Sequence, residues 1–136
     1  MKIDPGFQYD LFRFVLSGVR SPAMEDWLGN PDGIDPESSY AYCNRGSARR
    51  RLADYEGAIE DLTRAIELRP DYALAYNNRG YARMRSGDPE GAIDDYGEAI
   101  RLGDSGFPSY SLAMTYRNRA KAHRMVGEVE LAVWVV

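Results

Sequence analysis

The stretch SYAYCNRGSARRRLADYEGAIEDLTRAIELRPDY, residues 39–72, runs without a gap into ALAYNNRGYARMRSGDPEGAIDDYGEAIRLGDSG, residues 73–106. Seventeen of the 34 positions are identical, among them Tyr42/Tyr76, Asn44/Asn78, Arg45/Arg79, Gly46/Gly80, Ala58/Ala92, Ile59/Ile93, Ala65/Ala99 and Leu68/Leu102. A third copy resumes after a six-residue insertion, with Tyr116, Asn118, Arg119, Ala122, Gly127, Glu130 and Ala132 in register. A fixed period of this length belongs to stacked arrays, in which each unit buries its apolar face only against its neighbours. The repeat therefore sets the fold class as all-α. It also argues against an enzyme, because such arrays chiefly offer extended binding surfaces.

The bulk properties agree. The chain has 136 residues, with 28% charged and 44% hydrophobic residues, near globular averages. Its net charge is −4, whereas sequence-independent nucleic-acid binding calls for a strongly basic balance. Cys43 is the single cysteine and has no intramolecular disulfide partner, which fits a reducing compartment. No apolar run approaches the ~18 residues of a membrane span. The opening MKIDPGFQYD lacks a basic-then-apolar signal pattern. A cytoplasmic location is the resulting expectation.

Residues 1–38 stand outside the repeat. Phe7, Leu11, Phe14, Val15 and Val19 recur at helical spacing, predicting an amphipathic helix over about 7–18. Ser21-Pro22 reads as an N-cap and first helical position of a short helix to Leu28. Pro36 lies 34 residues before Pro70, so the segment reads either as a decayed unit or, preferentially, as a helical cap over the first repeat.

Within each repeat two helices are predicted, over about 39–52 and 55–68 in the first copy. Asp54 and Asp88 stand at N-cap positions, with Glu56 and Glu90 in the first turns, where acceptors and negative charge suit free N–H groups and the helix dipole. Gly87 and Gly127 fit the left-handed turn that closes the preceding helix. The connection is then only a few residues, which makes each pair antiparallel. Gly46, Gly80 and the small residues Ala48, Ala58, Ala65, Ala82, Ala92 and Ala99 imply close helix approach.

These residues resemble the tetratricopeptide repeat family, whose pattern asks for a large residue at position 4, Gly at 8, Ala at 20, a large apolar residue at 24, Ala at 27 and Pro at 32. The first copy supplies Tyr42, Gly46, Ala58, Leu62, Ala65 and Pro70; the second Tyr76, Gly80, Ala92, Tyr96 and Ala99, with Asp104 in place of proline; the third Tyr116 and Ala132, with Ala120 in place of glycine. Position 7, usually leucine, holds Arg45, Arg79 and Arg119, and position 11, usually tyrosine, holds Arg49, Arg83 and His123. The resemblance implies a right-handed superhelical stack of helix-turn-helix repeats over 39–136, as repeats 39–72, 73–106 and a partial 113–136, behind an N-terminal cap and linker over 1–38.

The third copy stops at position 24, Val136, inside its expected second helix. The run Leu131, Ala132, Val133, Trp134, Val135, Val136 then has nothing after it to cover it. A longer parent array, a fold-back of the N-terminal helix, and self-association through Leu131, Val133, Trp134, Val135 and Val136 are the competing readings.

Charge segregates by helix. First helices carry Arg45, Arg49, Arg50 and Arg51; Arg79, Arg83 and Arg85; and Arg117, Arg119, Lys121 and Arg124, while second helices carry Asp54, Glu56, Glu60, Asp61, Glu67, Asp88, Glu90, Asp94, Asp95 and Glu98. The resemblance implies that first helices line a concave groove. Its expected contact set is Asn44, Arg50, Arg51, Asn77, Asn78, Tyr81, Met84, Arg85, Arg117, Asn118, Lys121 and Arg124. Asparagine donates and accepts along a peptide backbone, arginine presents a fork to carboxylates, and methionine and tyrosine give adaptable apolar contact. The expected function is a protein-interaction scaffold or adaptor binding an acidic peptide; the alternative is a homo-oligomerisation module using the apolar C-terminal end. The competing account of any single arginine is that it pairs with acids of a neighbouring helix.

Some family members clamp chaperone tails through Lys and Asn at positions 5 and 9 of one repeat, Asn at 6 of the next, and Lys and Arg at 2 and 6 of the third. Here those places hold Cys43, Ser47, Asn78, Met114 and Asn118, so only Asn78 matches. No catalytic, cofactor or metal constellation is expected. His123 is the lone histidine and reads as a packing residue, and Cys43 has no histidine base or second cysteine beside it. Gly87–Gly91 lacks the Gly-Lys-Ser/Thr of a phosphate loop. Trp27 and Trp134 read as edge packing, and the insertion Gly103–Tyr110 as a bulge or a change of stacking angle.

Overall fold

The structure, a computed structural model, describes residues 37–103 and 109–135, with side chains described over 37–103 and 112–127. The expected N-terminal helices over 7–28 and the side chains of Leu131, Val133, Trp134, Val135 and Val136 lie outside the described residues, as do positions 104–108 of the insertion. Five helices are described: α1, Ser39–Arg51; α2, Tyr55–Leu68; α3, Ala73–Ser86; α4, Pro89–Leu102; and α5, Ser109–Val135. The chain divides into two compact units, Met1–Pro70 with α1 and α2, and Asp71–Val136 with α3, α4 and α5.

Local chemistry explains the helix ends. Ser38 Oγ accepts from Ala41 N at 3.1 Å, Asp54 Oδ1 from Gly57 N at 3.1 Å and Asp88 Oδ1 from Gly91 N at 2.9 Å. Each satisfies a backbone donor that the first turn leaves open. α1 closes with Asp54 N donating to Arg49 O at 2.9 Å and Ala53 N to Arg50 O at 3.1 Å. α3 closes likewise, with Asp88 N donating to Arg83 O at 2.8 Å. This closure needs a left-handed residue. Gly87 provides it in the second copy at φ 94°, whereas the first copy uses Ala53 at φ 62°.

Within the first unit α1 packs on α2 through small surfaces: Ala41, Ala48, Ala58 and Ala65 are buried, with Leu62 filling the seam. A Cβ on Gly46 would stand 2.6 Å from Leu62 Cγ, so glycine is what lets the two helices approach. In the second unit α3 packs on α4 in the same way, and Tyr96 fills the place of Leu62, 3.0 Å from where a Cβ on Gly80 would lie. Met84, Ala92, Tyr96 and Ala122 form a core cluster there, with Tyr81, Ile93 and Met125 packed against it.

The third copy departs from expectation. α5 runs without interruption through Gly127, which is not in the left-handed region, instead of turning there into a second helix. It also begins at Ser109, before the Ala113 expected from register. The physical reason lies in the next position. Glu128 replaces the cap residues Asp54 and Asp88, and glutamate favours helix interiors over N-caps.

Candidate functional site

The arginines at positions 7 and 11 turn inward. In the first unit Arg45 donates to Asp61 through Nε (2.7 Å) and Nη2 (2.7 Å), and Arg49 Nη1 donates to the same carboxylate at 3.0 Å. In the second unit Arg79 donates to Asp95 through Nε (2.9 Å) and Nη2 (2.7 Å), and Arg83 Nη1 adds a bond of 2.9 Å. Asp61 and Asp95 are 3% and 2% exposed. Arg45 and Arg79 also lie over the rings of Tyr42 and Tyr76 at 5.9 and 5.7 Å. Each carboxylate thus receives a fork and a third donor, the geometry that offsets the desolvation of buried charge. These are the residues that replace the family's leucine and tyrosine, and they hold each hairpin together. The signal was present in the sequence: Arg-x-x-x-Arg followed by an Asp twelve residues on occurs in both full copies.

The expected contact set divides by burial. Arg85, Arg117, Lys121 and Arg124 in the second unit are exposed, and Asn77, Tyr81 and Asn118 are half-buried. Arg51 in the first unit is exposed, with Asn44 and Arg50 half-buried. Two members of the set are not surface residues. Met84 belongs to the core cluster at 5% exposure, and Asn78 is buried at 6%. Tyr81 packs on that cluster, so it presents one edge only.

A contact not anticipated from sequence ties α3 to α5. Thr115 Oγ1 donates to Asn77 Oδ1 at 2.7 Å, and Thr115 is fully buried. α5 packs on α4 and α3 through the Thr115–Ala122 side, and Met125 meets the core cluster. Arg117, Lys121 and Arg124 then form an exposed stripe over two turns, about 10 Å long at 1.5 Å per residue. Among the described residues no acid pairs with any of the three.

Each second helix carries one local ion pair on its surface. Arg64 pairs with Glu67 at 3.3 Å and Arg101 with Glu98 at 2.7 Å. The hydrogen bond from Arg101 holds the Glu98 carboxyl below its ordinary range despite a small opposing effect of burial. Cys43 is fully buried, which removes it from surface thiol chemistry. His123 is exposed and not packed as expected. Among the described residues no three His, Cys, Asp or Glu side chains converge on a metal position, and no helix is long and apolar enough to cross a membrane.

Two short helices, a tight turn and a 34-residue period define a repeat protein of helical hairpins. Family models described as "TPR repeat" and "Tetratricopeptide repeat" match residues 46–87 and 73–104. Human tetratricopeptide repeat protein 36 is 46% identical over 52 residues, which are 38% of this chain and 27% of that relative's length. The TPR domain of Sgt2 from Aspergillus fumigatus superposes with a TM-score of 0.68 at 21% identity, covering 95% of this chain and 84% of that one. The second TPR domain of human RPAP3, solved with the HSP70 peptide SGPTIEEVD, gives a TM-score of 0.66 at 25% identity, covering 88% and 98%. The chain carries tetratricopeptide repeats over residues 46–104, and its all-α fold is that of the solved tetratricopeptide repeat domains.

Proposed function

We propose that this chain is a protein-interaction adaptor that binds an acidic peptide segment along the cationic stripe of α5. The observation that carries the reading is the contrast among its cations. Arg45, Arg49, Arg79 and Arg83 are taken up by Asp61 and Asp95, whereas Arg117, Lys121 and Arg124 are exposed and, among the described residues, have no acid paired with them. An extended peptide advances ~3.3 Å per residue, so two acids three residues apart span about 10 Å, the length of the stripe. The peptide in the RPAP3 complex ends in Glu-Glu-Val-Asp, which carries acids at that separation. Asn77 and Asn118, half-buried beside the stripe, supply amide groups for a peptide backbone, and Arg85 on α3 supplies a further cation.

The chaperone-tail clamp of some family members is not the form this takes. Cys43, Ser47 and Asn78 at its positions are all buried here, and Met114 replaces a cation. Recognition rests instead on the spacing of charge. Titrating labelled SGPTIEEVD and its all-amide counterpart against the full chain tests this. The acidic peptide binds more tightly, and Arg85→Glu with Lys121→Glu weakens it about tenfold or more. Equal affinity for both peptides, or no change in the double variant, refutes the reading.

A further inference from the structure

α3 presents Leu74, Asn77, Tyr81 and Arg85 at spacings of three, four and four residues, which places them along one side of the helix. Leu74 and Arg85 are exposed, and Asn77 and Tyr81 are half-buried. The Asn77 amide can donate through Nδ2 or accept through Oδ1. Its oxygen is engaged from below. Thr115 Oγ1 on α5 donates to Asn77 Oδ1 at 2.7 Å, and Thr115 is fully buried. The bond therefore draws the oxygen inward. The two branches of a primary amide diverge from one carbon, so an inward oxygen turns the Nδ2 branch toward the exposed side of this half-buried residue.

We infer that Thr115 is a positioning residue that makes Asn77 a one-way reader, donating N–H to a backbone carbonyl of the bound acidic segment rather than accepting from it. This role rests on the adaptor reading and adds to it the atom recognised and its register. Asn77 and Arg85 are eight positions apart on α3, about 12 Å at 1.5 Å per residue. An extended segment covers that distance in about three to four residues at ~3.3 Å each. The carbonyl taken by Asn77 therefore stands three or four residues from the acid that meets Arg85. Leu74 and Tyr81 lie one turn to either side of Asn77 and shield the bond from water, which strengthens it. The partner segment is extended at this point, because carbonyls inside a helix are already bonded to that helix's own N–H groups.

NMR of the isotope-labelled full chain tests the orientation without any peptide. The Asn77 side-chain N–H pair exchanges with water as fast as exposed amides do; protection like that of buried backbone N–H groups would make nitrogen the inward branch and overturn the inference. Thr115→Val shifts that resonance pair and weakens binding of SGPTIEEVD about three- to tenfold, and Thr115→Ser, which keeps the hydroxyl, restores both. Unchanged affinity in the valine variant counts against the role. A peptide-side test leaves the protein intact. A thioamide accepts more weakly through sulfur and donates more strongly through its N–H, so replacing carbonyl oxygens of SGPTIEEVD one at a time separates the two roles by sign. Binding weakens at one bond, three or four residues from an acid. Tighter binding at the bond that responds, or no response at any bond while the acidic peptide still outbinds its all-amide counterpart, removes the donor role alone. Equal affinity for those two parent peptides removes the adaptor reading and this role with it.

Discussion

Substituting Asp95→Asn removes one charge from a buried carboxylate that receives three arginine N–H bonds, at 2.9, 2.7 and 2.9 Å. Removing one partner of a buried pair costs roughly 3–5 kcal/mol, because the remaining charge stays desolvated. Two features moderate the figure. Asparagine keeps one oxygen acceptor, and the side chains of Arg79 and Arg83 retain 13% and 26% exposure, so water reaches them. The expected loss is therefore about 2–3 kcal/mol. Asp61→Asn loses more, since the side chain of Arg45 is only 4% exposed. The assay is urea unfolding followed by far-ultraviolet circular dichroism. At a slope of ~1 kcal/mol per molar, Asp95→Asn lowers the midpoint by about 2–3 M. A triple variant, Arg79→Leu, Arg83→Tyr and Asp95→Ala, restores the family's usual residues at the two arginine positions and removes the carboxylate. It stays within about 1–2 kcal/mol of the parent or exceeds it. A loss below ~1 kcal/mol for Asp95→Asn, or a triple variant as unstable as the single one, refutes the view that these arginines act inside the hairpins.

Three backbone predictions use the same assay. Ala53→Gly stabilises the first unit by about 0.5–1 kcal/mol, because Ala53 sits at φ 62° where Gly87 sits in the second copy; destabilisation would contradict the left-handed closure. Gly46→Ala destabilises by about 1–2 kcal/mol after its helix-propensity gain, through the 2.6 Å encounter with Leu62, and Gly80→Ala costs less because its nearest atom is 3.0 Å away. Gly127→Ala has open space around it and lies within a continuous helix, so it stabilises by up to about 1 kcal/mol; a loss would mean that α5 turns there after all.

The hairpins, their caps and the exposed cations were legible in the sequence because each depends on neighbours a few residues away. Asp54 and Asp88 cap the turns they precede, Gly87 adopts its left-handed conformation, and the α2 span matches its predicted range. The 34-residue period determined the all-α repeat class, since a unit with one apolar face requires a neighbour of the same kind. Tertiary structure decided which polar residues serve packing and which face solvent. Asn78 and Met84 share helix faces with surface residues but are buried, and Arg79 and Arg83 are drawn inward by a carboxylate on the next helix. The Thr115–Asn77 bond joins residues 38 apart, beyond any local signal. The third copy is the sharpest case. Register alone predicted a second helix there. With Glu128 in place of the cap residues Asp54 and Asp88, helix propagation carries α5 through Gly127 to Val135.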